Sequence, residues 1–374
     1  MTWNLDTILA RTGTEPDPET GALAPPIHTA TTYARNADGQ SGEFVYSRLG
    51  NPTRKRLEQA LAESEGGAGA VALSSGMTAA MTVCQSLSPG DHVLLPHDIY
   101  FGVRTLLMDH FTRWGLRVCD VDQRDLEAVA KAITPETRLV WTETPSNPQL
   151  NITDIQAMAD IAHQAGAALV VDNTWATPLI TRPIELGADI VLHSVTKYLG
   201  GHSDVLGGAL VFARQDSWYE HAVNLAGEGG AVLDPFGSWL VLRGMRSLGP
   251  RLRQQSAAAL EIARWLESHA RIESVNYPGL HSHPGHSVAA EQMTLFGGMF
   301  SFCVKGSADE ALEVVRRSQL FANATSLGGT ESLMEHRASI EGPDTPTPQN
   351  LLRVSVGLEH VDDLKVDLDQ ALTA

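Results

Sequence analysis

The chain has 374 residues, enough for a large domain plus a smaller one rather than a single ordinary core. With 43% hydrophobic and 19% charged residues it has the balance of a soluble globular protein, and no uninterrupted apolar run is long enough to span a membrane. A formal charge of -17, with no basic stripe to offset it, argues against nucleic-acid binding and leaves the capture of an anionic substrate to local arginines.

The N-terminus, Met1-Thr2-Trp3-Asn4-Leu5-Asp6, lacks the basic start and apolar core of a signal peptide. Cys84, Cys119 and Cys303 form no close pair, so they read as reduced small hydrophobes of a cytoplasmic protein, with no disulfide framework and no metal site. Residues 1–50 are rich in Gly and Pro, short of periodic pattern, and carry Tyr46-Ser47-Arg48. That composition suits an arm packed on a neighbouring subunit.

Residues 51–240 alternate amphipathic helices with short apolar runs: Ala70–Leu73, His92–Leu95, Leu116–Cys119, Leu139–Trp141, Ala168–Val171, Asp189–Leu192 and Ala209–Phe212. A helix is expected from about Met77 to Leu87, and another from Thr153, as N-cap, to Gly166, just past its end. Apolar runs without alternation, separated by helices, predict a mainly parallel sheet between helices, an α/β fold whose functional residues gather at the carboxyl ends of strands. Residues 241–374 open with a helix from Arg251 to about His269. A better-alternating run, Met299–Cys303, a strand over Leu351–Val356 and a helix over Val361–Leu372 follow. This predicts a smaller C-terminal α+β domain.

Two strand ends carry chemistry. Leu169-Val170-Val171-Asp172 ends in a carboxylate, and the run to His193 ends in Ser194-Val195-Thr196-Lys197. A lysine for an aldehyde, an acid for a ring nitrogen and hydroxyls for a phosphate together describe pyridoxal phosphate (PLP). A buried lysine loses its charge easily and becomes nucleophilic, as imine formation with the aldehyde requires. The N–H groups of Gly76 and Met77, after Ser75 at a helix start, can seat the phosphate. A nicotinamide enzyme is the alternative from the α/β pattern, but the first strand is not followed by Gly-x-Gly-x-x-Gly.

Ordered motifs extend the reading: Tyr46-Ser47-Arg48-Leu49-Gly50-Asn51-Pro52-Thr53, Ser75-Gly76-Met77, Glu143-Thr144-Pro145-Ser146-Asn147-Pro148, Asp172-Asn173-Thr174, Ser194-Val195-Thr196-Lys197, Ser326-Leu327-Gly328-Gly329 and Arg353-Val354-Ser355-Val356-Gly357. From about Tyr46 to Glu359 the chain resembles the Cys/Met-metabolism PLP-dependent family of cystathionine γ-synthases, cystathionine lyases and homoserine sulfhydrylases. The resemblance implies the PLP-dependent transferase fold type I. It implies that Lys197 carries the cofactor and acts as base, that Asp172 meets the pyridine nitrogen, and that Thr174 touches the ring. Tyr100 is expected to stack on the ring and assist proton transfer. Ser194 and Thr196 are expected to add hydroxyls to the phosphate site.

The same resemblance gives Tyr46 and Arg48 to the phosphate of the neighbouring subunit's cofactor, and so implies a homo-oligomer, a tetramer of two dimers. Arg353 is the expected bidentate clamp for the substrate α-carboxylate, with Ser326 sharing the load and Asn147 contacting the cofactor or the same carboxylate. Glu331, with Arg48, is the expected partner of the distal end of the side chain. A small Thr330 where β-lyases usually carry a bulky aromatic favours γ-chemistry. Gly102, where methionine γ-lyases typically carry cysteine, counts against that activity. The chain departs from the common pattern at Tyr100-Phe101-Gly102-Val103-Arg104, where the arginine is displaced by one place and a second tyrosine is missing. The expected activity is γ-replacement or γ-elimination on a small sulfur-related amino acid. Alternatives are a cystathionine β-lyase, an O-acylhomoserine sulfhydrylase and, from another class, a catalytically inactive PLP-binding regulator.

Overall fold

The structure is a computed structural model describing residues 3–342 and 345–373. Each of the seven apolar runs forms a strand: β1 Gly69–Leu73, β2 His92–Pro96, β3 Arg117–Val121, β4 Thr137–Glu143, β5 Ala168–Asp172, β6 Ile190–His193 and β7 Gly208–Phe212. They form one sheet in the spatial order β1-β7-β6-β5-β4-β2-β3. The pairs from β3 across to β6 are parallel, whereas β7 runs antiparallel to both β6 and β1. Along β5, Ala168 and Val170 pack into one core while Leu169 and Val171 pack into another. Both faces are therefore covered, which is why these strands read as unbroken apolar runs.

The helices that matter for the site follow from local signals. Asn51 caps α2 (Pro52–Glu65) by accepting from Thr53 N and Arg54 N, with Pro52 at the first position. Ser75 caps α3 (Gly76–Gln85) by accepting from Thr78 N at 3.0 Å. The helix Ile155–Gln164 is capped by Asp154, which accepts from Ala157 N at 3.0 Å; Thr153, the expected cap, instead donates its N–H to Thr144 Oγ1 at 3.0 Å. A carboxylate is the better acceptor for the positive helix start, and it displaces the threonine by one residue.

A second sheet combines β8 Ile272–Asn276, β9 Met299–Val304, β10 Ala322–Asn323, β11 Leu333–His336 and β12 Leu351–Ser355 in the order β10-β11-β12-β9-β8. Its neighbours are antiparallel except the β10–β11 pair. Phe300, Phe302, Leu352 and Val354 pack on Ile262 and Leu266 of the helix Leu248–Glu267 and on Leu364 and Leu368 of the helix Val361–Thr373. The period of two turns Arg353 to the opposite face, where its register partners are Glu335 and Ser301.

The long helix begins at Leu248 rather than Arg251 and stops at Glu267, short of His269. Within residues 1–50 the structure adds α1 (Leu5–Arg11), a helix too short to show a period, capped by Asn4. Leu9 is buried and Asp6 pairs with Arg253, so this start docks on its own chain. Downstream, Leu23, Val45, Tyr46 and Leu49 are exposed. Among the described residues, no helix is long and apolar enough to cross a membrane, and no cluster of His, Cys, Asp or Glu could hold a metal ion.

Candidate active site

The carboxyl ends of β4, β5 and β6 and the start of α3 open on one cleft. Most residues singled out in the sequence line it: Ser75, Gly76, Met77, Tyr100, Asn147, Asp172, Thr174, Ser194, Thr196, Lys197, Ser326 and Arg353. They converge from both sheets, which no single segment of the sequence displays.

Lys197 follows β6, and its Nζ donates to Ser326 Oγ at 2.7 Å. Burial first, and then the Arg353 guanidinium, lower its ammonium to about 8. Ser326 adopts φ 99°, a region that favours glycine, so Lys197 on its hydroxyl and Arg353 on its carbonyl hold a strained residue in place. Asp172 ends β5 and accepts from Thr174 N at 3.0 Å. Burial raises its carboxyl, and the hydrogen bonds from Thr174 oppose that rise. Thr174 Oγ1 also accepts from Ser194 N at 2.8 Å, tying the acid-bearing strand end to the lysine-bearing one.

Arg353 is almost wholly buried. Its Nη1 donates to Asn147 Oδ1 at 3.2 Å, its Nη2 to Ser326 O at 2.8 Å, and it pairs with Glu335. Burial lowers it to about 10. Its Nε, also buried, has no partner. Behind it the charges alternate: Glu335 also accepts from Arg337 Nη1 at 3.3 Å, and Arg337 Nη2 donates to Glu341 at 2.8 Å. Glu341 is held in turn by the hydroxyls of Thr345 and Thr347, both at 2.6 Å. Arg353 is thus fixed by a chain of partners.

The phosphate end is shaped by close backbone approach. A Cβ on Gly208 would lie 2.0 Å from Ser75 O, and one on Gly76 would lie 2.7 Å from Ser194 Cβ. Gly208→Ala is therefore expected to distort the Ser75–Met77 turn and cost at least about tenfold in PLP affinity, read by equilibrium dialysis. Thr196 lines the cleft, but its hydroxyl bridges the C=O and N–H of Gly207 at 3.2 and 3.0 Å. Beyond Tyr100 the wall is made by Val103, while Arg104 turns away to Asp120 at 2.8 Å. A Cβ on Gly102 would come within 2.7 Å of the Tyr100 ring, so a cysteine there would push that ring aside.

Three expected residues lie outside this lining. Tyr46 is exposed, with Arg48 over its ring at 5.5 Å, and Arg48 donates to Gly227 O of its own chain. Glu331 accepts from Ser203 Oγ and from Thr330 Oγ1, the latter at 3.3 Å, and is not brought to Arg48 within one chain. The structure also adds lining residues with no role in the sequence reading, chiefly Glu143 and Arg337. Glu143 carried a usable signal: like Asp172, it is the carboxylate that ends an apolar strand run. Arg337 had none, because its place depends on the pairing of β11 with β12 in the second sheet.

A half-buried lysine and a buried acid lining one strand-end cleft, beside a capped helix start, define a PLP-enzyme site. The unpartnered Arg353 Nε and the cradle at Gly76 and Gly208 fit that cofactor and an amino-acid carboxylate. The model of the Cys/Met metabolism PLP-dependent enzyme family matches residues 6–373, and the chain belongs to that family. It is 47% identical to a cystathionine γ-synthase of Mycobacterium tuberculosis over 96% of this chain and 94% of the relative. It is 43% identical to a cystathionine β-lyase of Coxiella burnetii over 99% and 98%. The solved cystathionine γ-synthase of Xanthomonas oryzae pv. oryzae, in complex with aminoacrylate and cysteine, superposes with a TM-score of 0.97 at 39% identity, covering 100% of this chain and 98% of that one. The fold is that of fold type I, and the protein is a PLP-dependent enzyme of Cys/Met metabolism.

Proposed function

We propose that this enzyme acts at the γ-carbon of sulfur-related amino acids, as a cystathionine γ-synthase or γ-lyase. The observation that carries the reading is the half-buried Lys197 amine, bonded to the Ser326 that Arg353 also holds, in the cleft it shares with Asp172. When bound, PLP supplies an electron sink for the charge that develops at the substrate Cα. Arg353, fixed by Asn147, Ser326 and Glu335, holds the substrate carboxylate so that Cα faces Lys197. Uncharged Lys197 Nζ would take the proton from Cα as general base, pass that proton on and, neutral again, take one from Cβ, which lets the γ-substituent leave. Asp172 keeps a proton on the ring nitrogen. Tyr100, on the cleft wall, covers the ring.

The base must be neutral, and its neutral fraction grows as pH rises. Turnover is therefore expected to climb through about pH 8, the value to which burial brings Lys197. A pH profile of kcat, which reports the complex in which substrate has freed the amine, with no ascending limb near that value would contradict Lys197 as the base.

The relatives include a γ-synthase, a γ-lyase and a β-lyase at 47%, 42% and 43% identity, so they support the family's chemistry while the choice of Cγ rests on the site. The small Thr330, bonded to Glu331, is compatible with a longer substrate side chain. An assay of activated homoserine with L-cysteine tests the proposal directly: cystathionine or 2-oxobutyrate is expected.

The assembly belongs to the same proposal: a cytoplasmic homo-oligomer, a tetramer of two dimers, with residues 1–50 as the arm that reaches a neighbour. Residues 51–240 form the PLP-binding domain and 241–374 the smaller one, a division supported by the two sheets and their separate cores. Among the described residues lining the cleft, the cations Lys197, Arg337 and Arg353 gather at the carboxylate end. An arginine for the phosphate is then best supplied by the exposed Tyr46-Ser47-Arg48 of an adjacent subunit. Arg48→Ala is expected to weaken PLP binding by at least about tenfold in the assembled enzyme, read by dialysis.

A further inference from the structure

β4 and β5 end side by side. Glu143 and Asp172 are register partners, both are buried, and both line the cleft. Register partners on parallel strands present their side chains to the same face, so the two carboxyls are neighbours. Glu143 also lines a small cavity beside the cleft, shared with His97, Asp98, Asp122 and Arg124. Its Oε2 accepts from Tyr100 N at 2.7 Å. That bond fixes the residue that starts α4 (Phe101–Thr105) and whose ring walls the cleft.

We infer that Glu143 and Asp172 work as a pair carrying a single negative charge: Glu143 keeps a proton and anchors Tyr100 through its acceptor oxygen, leaving Asp172 as the ionised acid opposite the ring nitrogen. The inference rests on the PLP reading of the cleft and adds a positioning residue to it. Two carboxylates held this close in a dry site repel strongly if both ionise. Asp172 is the better seat for the charge, because Thr174 supports it with both its backbone N–H and its side chain. Glu143 receives one backbone N–H bond.

The charged groups around Glu143 agree with this division. Asp172 on β5 and Asp98 after β2 both repel a charge on it, and Arg337 after β11 is the cation that attracts one. Burial is the largest influence and raises the Glu143 carboxyl well above its ordinary range. The linkage sign follows: above about pH 4.3 an unfolded glutamate has lost its proton while the folded one has not, so folding stability falls as pH rises until Glu143 ionises. Glutamine, which mimics the neutral acid and still accepts from Tyr100 N, carries no such dependence.

The test is the thermal midpoint of the full-length, PLP-loaded protein, wild type against Glu143→Gln, from about pH 5 to about pH 8. The glutamine variant is expected to gain on wild type steadily with pH, while its kcat/KM near neutrality stays within about threefold. Glu143→Leu, which cannot accept from Tyr100 N, is expected to lose at least about tenfold in kcat/KM. Parallel melting curves would show that Glu143 holds no extra proton, and a glutamine variant as impaired as the leucine one would show that its charge is required. Either result overturns the pair. Melting does not depend on which amino acid is turned over, so a failed activity assay with the widening gap intact would sink the proposed reaction alone.

Discussion

Lys197→Ala is expected to lose turnover by at least about 10,000-fold while still binding PLP, because the group removed is both the cofactor's anchor and the base. The Ser75–Met77 cradle and Asp172 remain, so the variant is expected to take up PLP noncovalently, with an absorption band shifted from that of wild type. Stability should not fall with activity: burial disfavours the charged amine, and its removal relieves that cost. A small primary amine added in solution is expected to restore part of the rate, which separates loss of a base from damage to the cleft. Full activity in the alanine variant would remove Lys197 from the mechanism.

Arg353→Ala comes next in size, and it acts on binding and stability together. The substrate loses its bidentate partner, and Glu335 is left buried with only Arg337 at 3.3 Å. Removing one member of a buried pair costs about 3 kcal/mol at the lower end of the known range, and Arg337 keeps the cost there. Arg353→Lys is the sharper probe. A single ammonium cannot serve Asn147, Ser326 O, Glu335 and a carboxylate at once. The expected loss is about 100-fold in kcat/KM, mostly in KM, with a smaller stability change. A lysine variant with unaltered KM would place the carboxylate elsewhere.

The fold was legible where burial made its mark on composition. Apart from β3, half-buried at the sheet edge, the strands of the large sheet appear as apolar runs because both faces are covered, and Asp172 and Lys197 stand out as polar residues at their ends. Short elements left little trace: α1 is a seven-residue helix, and the cap at Asp154 differs from the expected Thr153 by one place. Side-chain partnerships between distant segments were not legible at all. Glu335 and Arg337 acquire meaning only when β11 and β12 pair and bring Arg353 against Asn147. Arg104 illustrates the same point, since its displacement in sequence becomes interpretable only once Asp120 is seen to hold it away from the cleft. The motif around Tyr46 and Arg48 named residues that their own chain places outside the cleft lining.

The most direct test of the account is the product that the purified, PLP-loaded enzyme forms from an O-acylhomoserine in the presence of L-cysteine. Cystathionine or 2-oxobutyrate, each formed by loss of the γ-substituent, is the predicted result. Neither product from that mixture, together with pyruvate and homocysteine from L-cystathionine, would place the chemistry at Cβ and contradict it.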